Sequence, residues 1–222
     1  SDGDFPMGDI FGPNAINTIM TWGNSLGLEA TVIVNPGTYT VTLSTTASDN
    51  VANLKFIGNK KGRNYPIFQL NIGSSTTDNL GNRFLVVGNH LESIYFRSIT
   101  SFQSVRPAWS PTGVATQNEA HTLTVKDCIF YDTSLNFLDS DNNTLDQLSV
   151  ETDFSIIVEN CSFKQLDNFP DNISLVAPKA FLVSLRNCYF QGNGYAFNLG
   201  TEGYSSGYTG ATNYYLENVT AK

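Results

Sequence analysis

The chain predicts an all-β protein, a right-handed parallel β-helix with an N-terminal capping helix, and three observations lead there. A six-residue phrase recurs five times, its apolar and polar residues alternating as in a half-buried strand. The phrase returns at a nearly constant period. The composition is rich in Gly, Ser, Thr and Asn and low in charge, with charged residues at 14%.

The phrases lie at 94–99, 123–128, 156–161, 183–188 and 214–219 and read IYFRSI, LTVKDC, IIVENC, VSLRNC and YYLENV. Their last positions are separated by 29, 33, 27 and 31 residues. A strand-based repeat of this length is one coil of a stack in which each coil buries its inner face against its neighbours. Leucine-rich repeats share the period, but their leucine and asparagine pattern does not recur.

Each column of the alignment has a physical reading. Ile99, Cys128, Cys161, Cys188 and Val219 are apolar and of small or medium size, as an inward stack requires. Ser98, Asp127, Asn160, Asn187 and Asn218 stand one position earlier, where short polar side chains bond the backbone of a bend and one another from coil to coil. A ladder at a turn accounts for them better than catalysis does. Arg97, Lys126, Glu159, Arg186 and Glu217 precede these, and from Lys126 onward the signs alternate, so adjacent strands carry opposite charges.

At 222 residues, one domain covers 1–222, with a lead-in and helix over 1–30 and coils over 31–222. After the extended residues 1–12, Ile16, Ile19, Met20 and Leu26 fall at helical spacing. A helix starting at Pro13–Asn14 and ending near Gly27 would cover the open edges of the first coil. Strands follow at 31–34 and 39–43 around the turn Asn35-Pro36-Gly37. Further strands at 54–57, 67–72 and 84–87 fill the 42 residues between Ile57 and Ile99, as one long or overfull coil. Later phrases are each followed by a second strand, at 135–138, 173–176 and 195–199.

The helix followed by TVIVNPGTYTV, then LKFIGN and the later coils, resembles the pectin-lyase-like superfamily of right-handed parallel β-helices. The resemblance implies the fold and leaves function open, because that superfamily includes polysaccharide lyases, glycoside hydrolases, viral tailspikes and adhesins. The neighbouring aspartates with Gly-His-Gly of polygalacturonases are missing around His90 and His121, and Arg106-Pro107 lacks the second arginine of the pectate lyase motif. No catalytic residue of the superfamily carries over.

A net charge of −8 and a pI near 4.6 argue against nucleic acid, whose backbone needs clustered Lys and Arg. An anionic sugar would need a bound cation or a local basic site. No apolar run is long enough to span a membrane, and a chain that starts without Met and without a signal peptide is expected to be a processed or trimmed product. Three cysteines on one face of successive coils are read as buried free thiols rather than a disulfide framework. The sequons at Asn142, Asn160, Asn172 and Asn218 are coincidental in an Asn-rich chain, two of them belonging to the ladder.

Inserts of variable length fall at one place in the coil, over 103–119, 139–153 and 200–212, and would wall a groove. Arg106, Trp109, Tyr204 and Tyr208 are the candidate carbohydrate-binding residues, since flat aromatic faces with polar edges suit sugar rings. Packing over neighbouring loops is the alternative for the rings. Asp139, Asp141 and Asn143 begin like a calcium loop, but Thr144 and Val150 stand where glycine and a bidentate glutamate are needed. Calcium is the only cofactor the sequence leaves open. The expected function is an extracellular, cell-surface or virion β-helix that binds a polysaccharide or forms part of an appendage. The alternative is a polysaccharide lyase or glycoside hydrolase. The last coil, with Tyr214, Leu216 and Val219, is expected to receive a second copy or a further protein.

Overall fold

The computed structural model describes residues 12–26, 29–42, 53–71, 83–87, 90–99, 103–108, 121–136, 154–165, 173–177, 182–192, 195–199 and 213–222. One helix, α1 (Ala15–Leu26), precedes the strands β1 (Glu29–Val34) and β2 (Gly37–Val41). Five rounds follow. They are β3 (Asn53–Gly58), β4 (Pro66–Leu70) and β5 (Arg83–Val87); then β6 (His90–Glu92), β7 (Tyr95–Ser98) and β8 (Gln103–Ala108). Next come β9 (His121–Lys126), β10 (Ile129–Tyr131) and β11 (Thr133–Asn136), followed by β12 (Phe154–Glu159), β13 (Ser162–Gln165) and β14 (Ile173–Ala177). The fifth is β15 (Leu182–Arg186), β16 (Tyr189–Gly192) and β17 (Tyr195–Leu199), after which β18 (Asn213–Glu217) and β19 (Thr220–Ala221) end the series.

These strands form three parallel sheets. The first has the order β1-β3-β6-β9-β12-β15-β18, the second β2-β4-β7-β10-β13-β16-β19, and the third β5-β8-β11-β14-β17. From β3 onward the neighbour of each strand is the third one along the chain, so the chain visits the three sheets in turn before pairing with itself. Side chains from all three sheets and from α1 meet in one buried cluster.

The register differs from the sequence expectation at the first phrase. Leu91 pairs with Val125 and Glu92 with Lys126, while Tyr95 pairs with Ile129 and Phe96 with Phe130. The member of the inward column is therefore Ile94, fully buried, and not Ile99, which is 49% exposed. Ser93 and Glu92 replace Ser98 and Arg97 in the columns before it. Both LESI and FRSI carry the same sequence of apolar, charged, Ser and apolar residues. What separates them is the phenylalanine two positions on: Phe96, Phe130, Phe163 and Phe190 follow Ile94, Cys128, Cys161 and Cys188. Residues 57–99 thus hold no overfull coil, since β6 already starts another round. The phrases ending at Cys128, Cys161 and Cys188 are each followed by two strands where one was expected, the short β10, β13 and β16 belonging to the second sheet.

The corner between first and second sheets explains the asparagine column. Ser93, Asp127, Asn160, Asn187 and Asn218 have φ between 51° and 56°, a left-handed conformation that Asn and Asp tolerate better than most residues. Asn218 Nδ2 donates to Asn187 Oδ1, and Asn187 Nδ2 to Asn160 Oδ1, each at 3.0 Å. The ladder is structural. Behind it Cys128, Cys161 and Cys188 are buried free thiols, and Cys161 Sγ donates to the Glu159 carbonyl at 3.2 Å. Burial holds the Cys161 thiol well above its ordinary pKa and raises that of Cys188.

The helix and the residues that lead into it close the outer edge of β2, where Thr40 N donates to Pro13 O at 2.8 Å and Asn17 adds a side-chain clasp. Asn17 Nδ2 donates to Thr40 O at 3.0 Å, and Asn17 Oδ1 accepts from Thr42 N at 2.9 Å. One carboxamide thereby makes the two bonds that the N–H and C=O of one residue in a neighbouring parallel strand would make. Ile16 and Met20 are buried on the same helix, so the capping face is apolar with a polar clasp. At the other extreme, Leu216 and Tyr214 continue the inward columns of the first sheet and are 49% and 44% exposed.

Candidate functional site

Trp109, Tyr204, Tyr208, Asp139, Asp141 and Asn143 lie outside the described residues. Arg106 is in β8, its backbone paired with Leu85, and its side chain also lies outside them. The segments that carry the others, 109–120, 137–153 and 200–212, each run from a third-sheet strand to a first-sheet strand. The first insert, expected over 103–119, thus begins only after β8, which occupies its first six residues, and the three remaining segments share one attachment place, between the third sheet and the first.

The described residues offer two outward faces of different character. On the first sheet the register places Glu92, Lys126, Glu159, Arg186 and Glu217 in one column, with alternating sign throughout. Arg186 Nη1 lies 3.2 Å from Glu159 Oε1, and its Nε 3.2 Å from Glu217 Oε2. His90 Nε2 approaches Glu92 Oε2 at 2.8 Å in the neighbouring column. Arg186 is thus paired on both sides, to Glu159 and to Glu217.

The second sheet differs. Strand alternation turns Phe68, Phe96, Phe130, Phe163 and Phe190 inward, so Ile67, Tyr95, Ile129, Ser162 and Tyr189 face outward on one side of that column. Gln69, Arg97, Tyr131, Lys164 and Gln191 do so on the other. Tyr95 and Tyr131 meet edge to face with centroids 6.3 Å apart, and the Arg97 guanidinium lies 5.6 Å from the Tyr131 centroid. Partial burial raises the Tyr95 pKa, so its phenol remains a neutral donor at physiological pH. These two columns contain cations and no carboxylate, a local exception in an acidic chain.

Tyr95 and Tyr131 are not singled out by the sequence, and Arg97 enters there only in the charged column, not as a candidate site residue. Extending the aligned phrase past its cysteine column to IYFR, CIFY, CSFK and CYFQ would have found them, because the residue after each phenylalanine points outward. Among the described residues no group of three His, Cys, Asp or Glu side chains could hold a metal ion. A cavity of about 230 Å³ opens where the phenylalanine column gives way to Ala221, lined by Phe190, Gln165 and Ser174 among others. The Gln165 Nε2 group beside it has no hydrogen-bond partner among the described residues.

The fold defines an all-β protein of stacked parallel sheets with one short helix. Comparison with known proteins finds no matching family model, no matching curated protein and no matching solved structure. Among the described residues no helix is long and apolar enough to cross a membrane.

Proposed function

We propose that this chain is a right-handed parallel β-helix of the pectin-lyase-like kind, working outside the cell or on a virion as a glycan-binding scaffold or appendage component. The winding supports the fold reading, since parallel strands joined through crossovers are right-handed in nearly all proteins. The single observation that carries the binding reading is the outward face of the second sheet. Tyr95 and Tyr131 offer ring surface for the apolar face of a sugar, while Arg97, Lys164 and Gln191 supply donors for its hydroxyl or carboxylate oxygens. The rigid strands beneath hold these groups at fixed spacing, which lowers the entropy lost on binding. Arg106 in β8, with Trp109, Tyr204 and Tyr208 on segments that join the third sheet to the first, would make a separate glycan contact, and the acidic set at Asp139, Asp141 and Asn143 would admit calcium. The exposed last strand, with Leu216 and Tyr214, would serve as an assembly surface.

A panel of neutral, sulfated and uronic polysaccharides tests the reading, with and without calcium, scored for both binding and cleavage. Binding without cleavage, weakened in Tyr131→Ala, is expected. The appearance of new unsaturated or reducing ends would replace the scaffold reading with that of a lyase or hydrolase.

A further inference from the structure

Every described corner between the first and second sheets is made by two residues except one. Between β1 and β2 they are Asn35 and Pro36, and in later rounds Ser93 and Ile94, Asp127 and Cys128, or their equivalents. Between β3 and β4 the chain instead takes seven residues, 59–65, with the sequence Asn-Lys-Lys-Gly-Arg-Asn-Tyr. The core has no use for this length. The side chains of 61–64 are exposed, and the strands on either side keep the register of their neighbours.

The segment is a tight reverse turn. Lys61 N donates to Asn64 O at 3.2 Å and Asn64 N to Lys61 O at 3.0 Å, with Gly62 at φ +62° between them. At its base Asn59 Nδ2 donates to Asn35 Oδ1 at 2.9 Å, and Lys60 is tied to Asp127 at 3.8 Å while lying 5.0 Å from the Tyr65 centroid. Lys61 and Arg63 stand at the tip, and neither has an ion-pair partner among the described residues. Three of the chain's 12 cations therefore fall within four residues, two of them unpaired, on a projection that the chain itself holds still.

We infer that this turn is a docking point for a polyanionic polysaccharide, sulfated or uronic, separate from the aromatic face of the second sheet. An ammonium and a guanidinium two residues apart on one exposed turn suit sulfate or carboxylate oxygens, the guanidinium through paired N–H groups. The turn fixes their backbone, so little chain entropy is lost when the anion arrives. A cluster this compact fits charge groups on adjoining sugars, whereas a nucleic acid duplex calls for a longer stripe of contacts. Two free cations confer weak, salt-sensitive attachment per chain, and a polymer engaging several chains multiplies it.

The test measures binding of the intact chain to immobilised heparin, polygalacturonate, dextran and duplex DNA between low and physiological salt. Heparin or polygalacturonate should be retained and dextran not. Lys61→Gln with Arg63→Gln should weaken retention about tenfold and flatten its salt dependence by roughly 1.5 in log–log slope, as loss of two ion contacts requires. The thermal midpoint should stay unchanged, because the tip touches no core. Tyr131→Ala reports on the second-sheet face and should leave the salt slope as it is, so failure there is distinguishable from failure here. No retention of either polyanion at low salt, retention indifferent to the double substitution, or stronger retention on DNA would each overturn the inference.

Discussion

The rounds from β6 to β16 and those before them solve the same packing problem differently. In the later rounds Phe96, Phe130, Phe163 and Phe190 lie face to face, with centroids 5.3, 4.8 and 4.6 Å apart and planes within 16° of parallel. Earlier, Tyr39 meets Phe68, Phe56 meets Phe68, and Phe68 meets Phe96 edge to face, at 6.0, 5.9 and 5.5 Å. Identical two-residue corners deliver the same side chain to the same place every round, and strand spacing of about 4.8 Å then imposes stacking. Where the corners differ, as at Pro36 and the seven-residue turn, neighbouring rings cross. Periodic regions thus derive order from copying. The first rounds need a dedicated clasp, which Asn17 supplies.

The severest disruption of the copied region is a charge in its cysteine column. Cys161→Asp should destabilise by about 3–5 kcal/mol in urea unfolding, because no buried partner awaits the carboxylate, while Cys161→Ala should cost about 1–2. Phe163→Ala should cost roughly 3–4 kcal/mol, the cavity being walled by two stacked rings that have little room to collapse. Denaturant midpoints check both.

At the other region, Asn17→Ala removes two hydrogen bonds and bares the edge of β2. A loss of about 2 kcal/mol is expected, together with concentration-dependent association in sedimentation. Asn17→Asp should fall between, since a carboxylate keeps the acceptor and loses the donor.

The thiols add a pH dependence confined to the copied rounds. Burial raises the folded pKa of Cys161 and Cys188, so the folded chain keeps protons that the unfolded chain releases above about pH 8.5. Stability should be level up to that point and fall as pH rises beyond it. The fall should shrink in Cys161→Ala, as thermal midpoints at pH 7 and 9.5 would show.

The smallest effect belongs to the amide ladder. Asn187→Ala loses both ladder bonds and puts alanine at φ +51°, for about 1–2 kcal/mol. Asn187→Gly relieves the backbone and should recover part of that, measurable by calorimetry.

Much of this was legible in the chain. The strand phrase, its spacing, the apolar column through Cys128, Cys161 and Cys188, and the asparagine column all depend on local alternation, which sequence displays directly. The helix was visible for the same reason, from the spacing of Ile16, Ile19 and Met20. The first phrase was misplaced because LESI and FRSI satisfy one pattern equally, and only pairing with β9 and β10 chooses between them. The second-sheet strands β10, β13 and β16 were overlooked because strands of three or four residues are too short to show a period. The candidate face of Tyr95, Arg97 and Tyr131 follows from that omission, since Tyr131 is far from the other two in sequence and adjacent to them only across the ladder. The same holds for Asn17, an unremarked polar residue of a helix until β2 is set beside it. Alternation is a property of neighbouring residues and survives in the sequence; register and edge closure are contacts between distant segments, and only the folded chain brings those segments together.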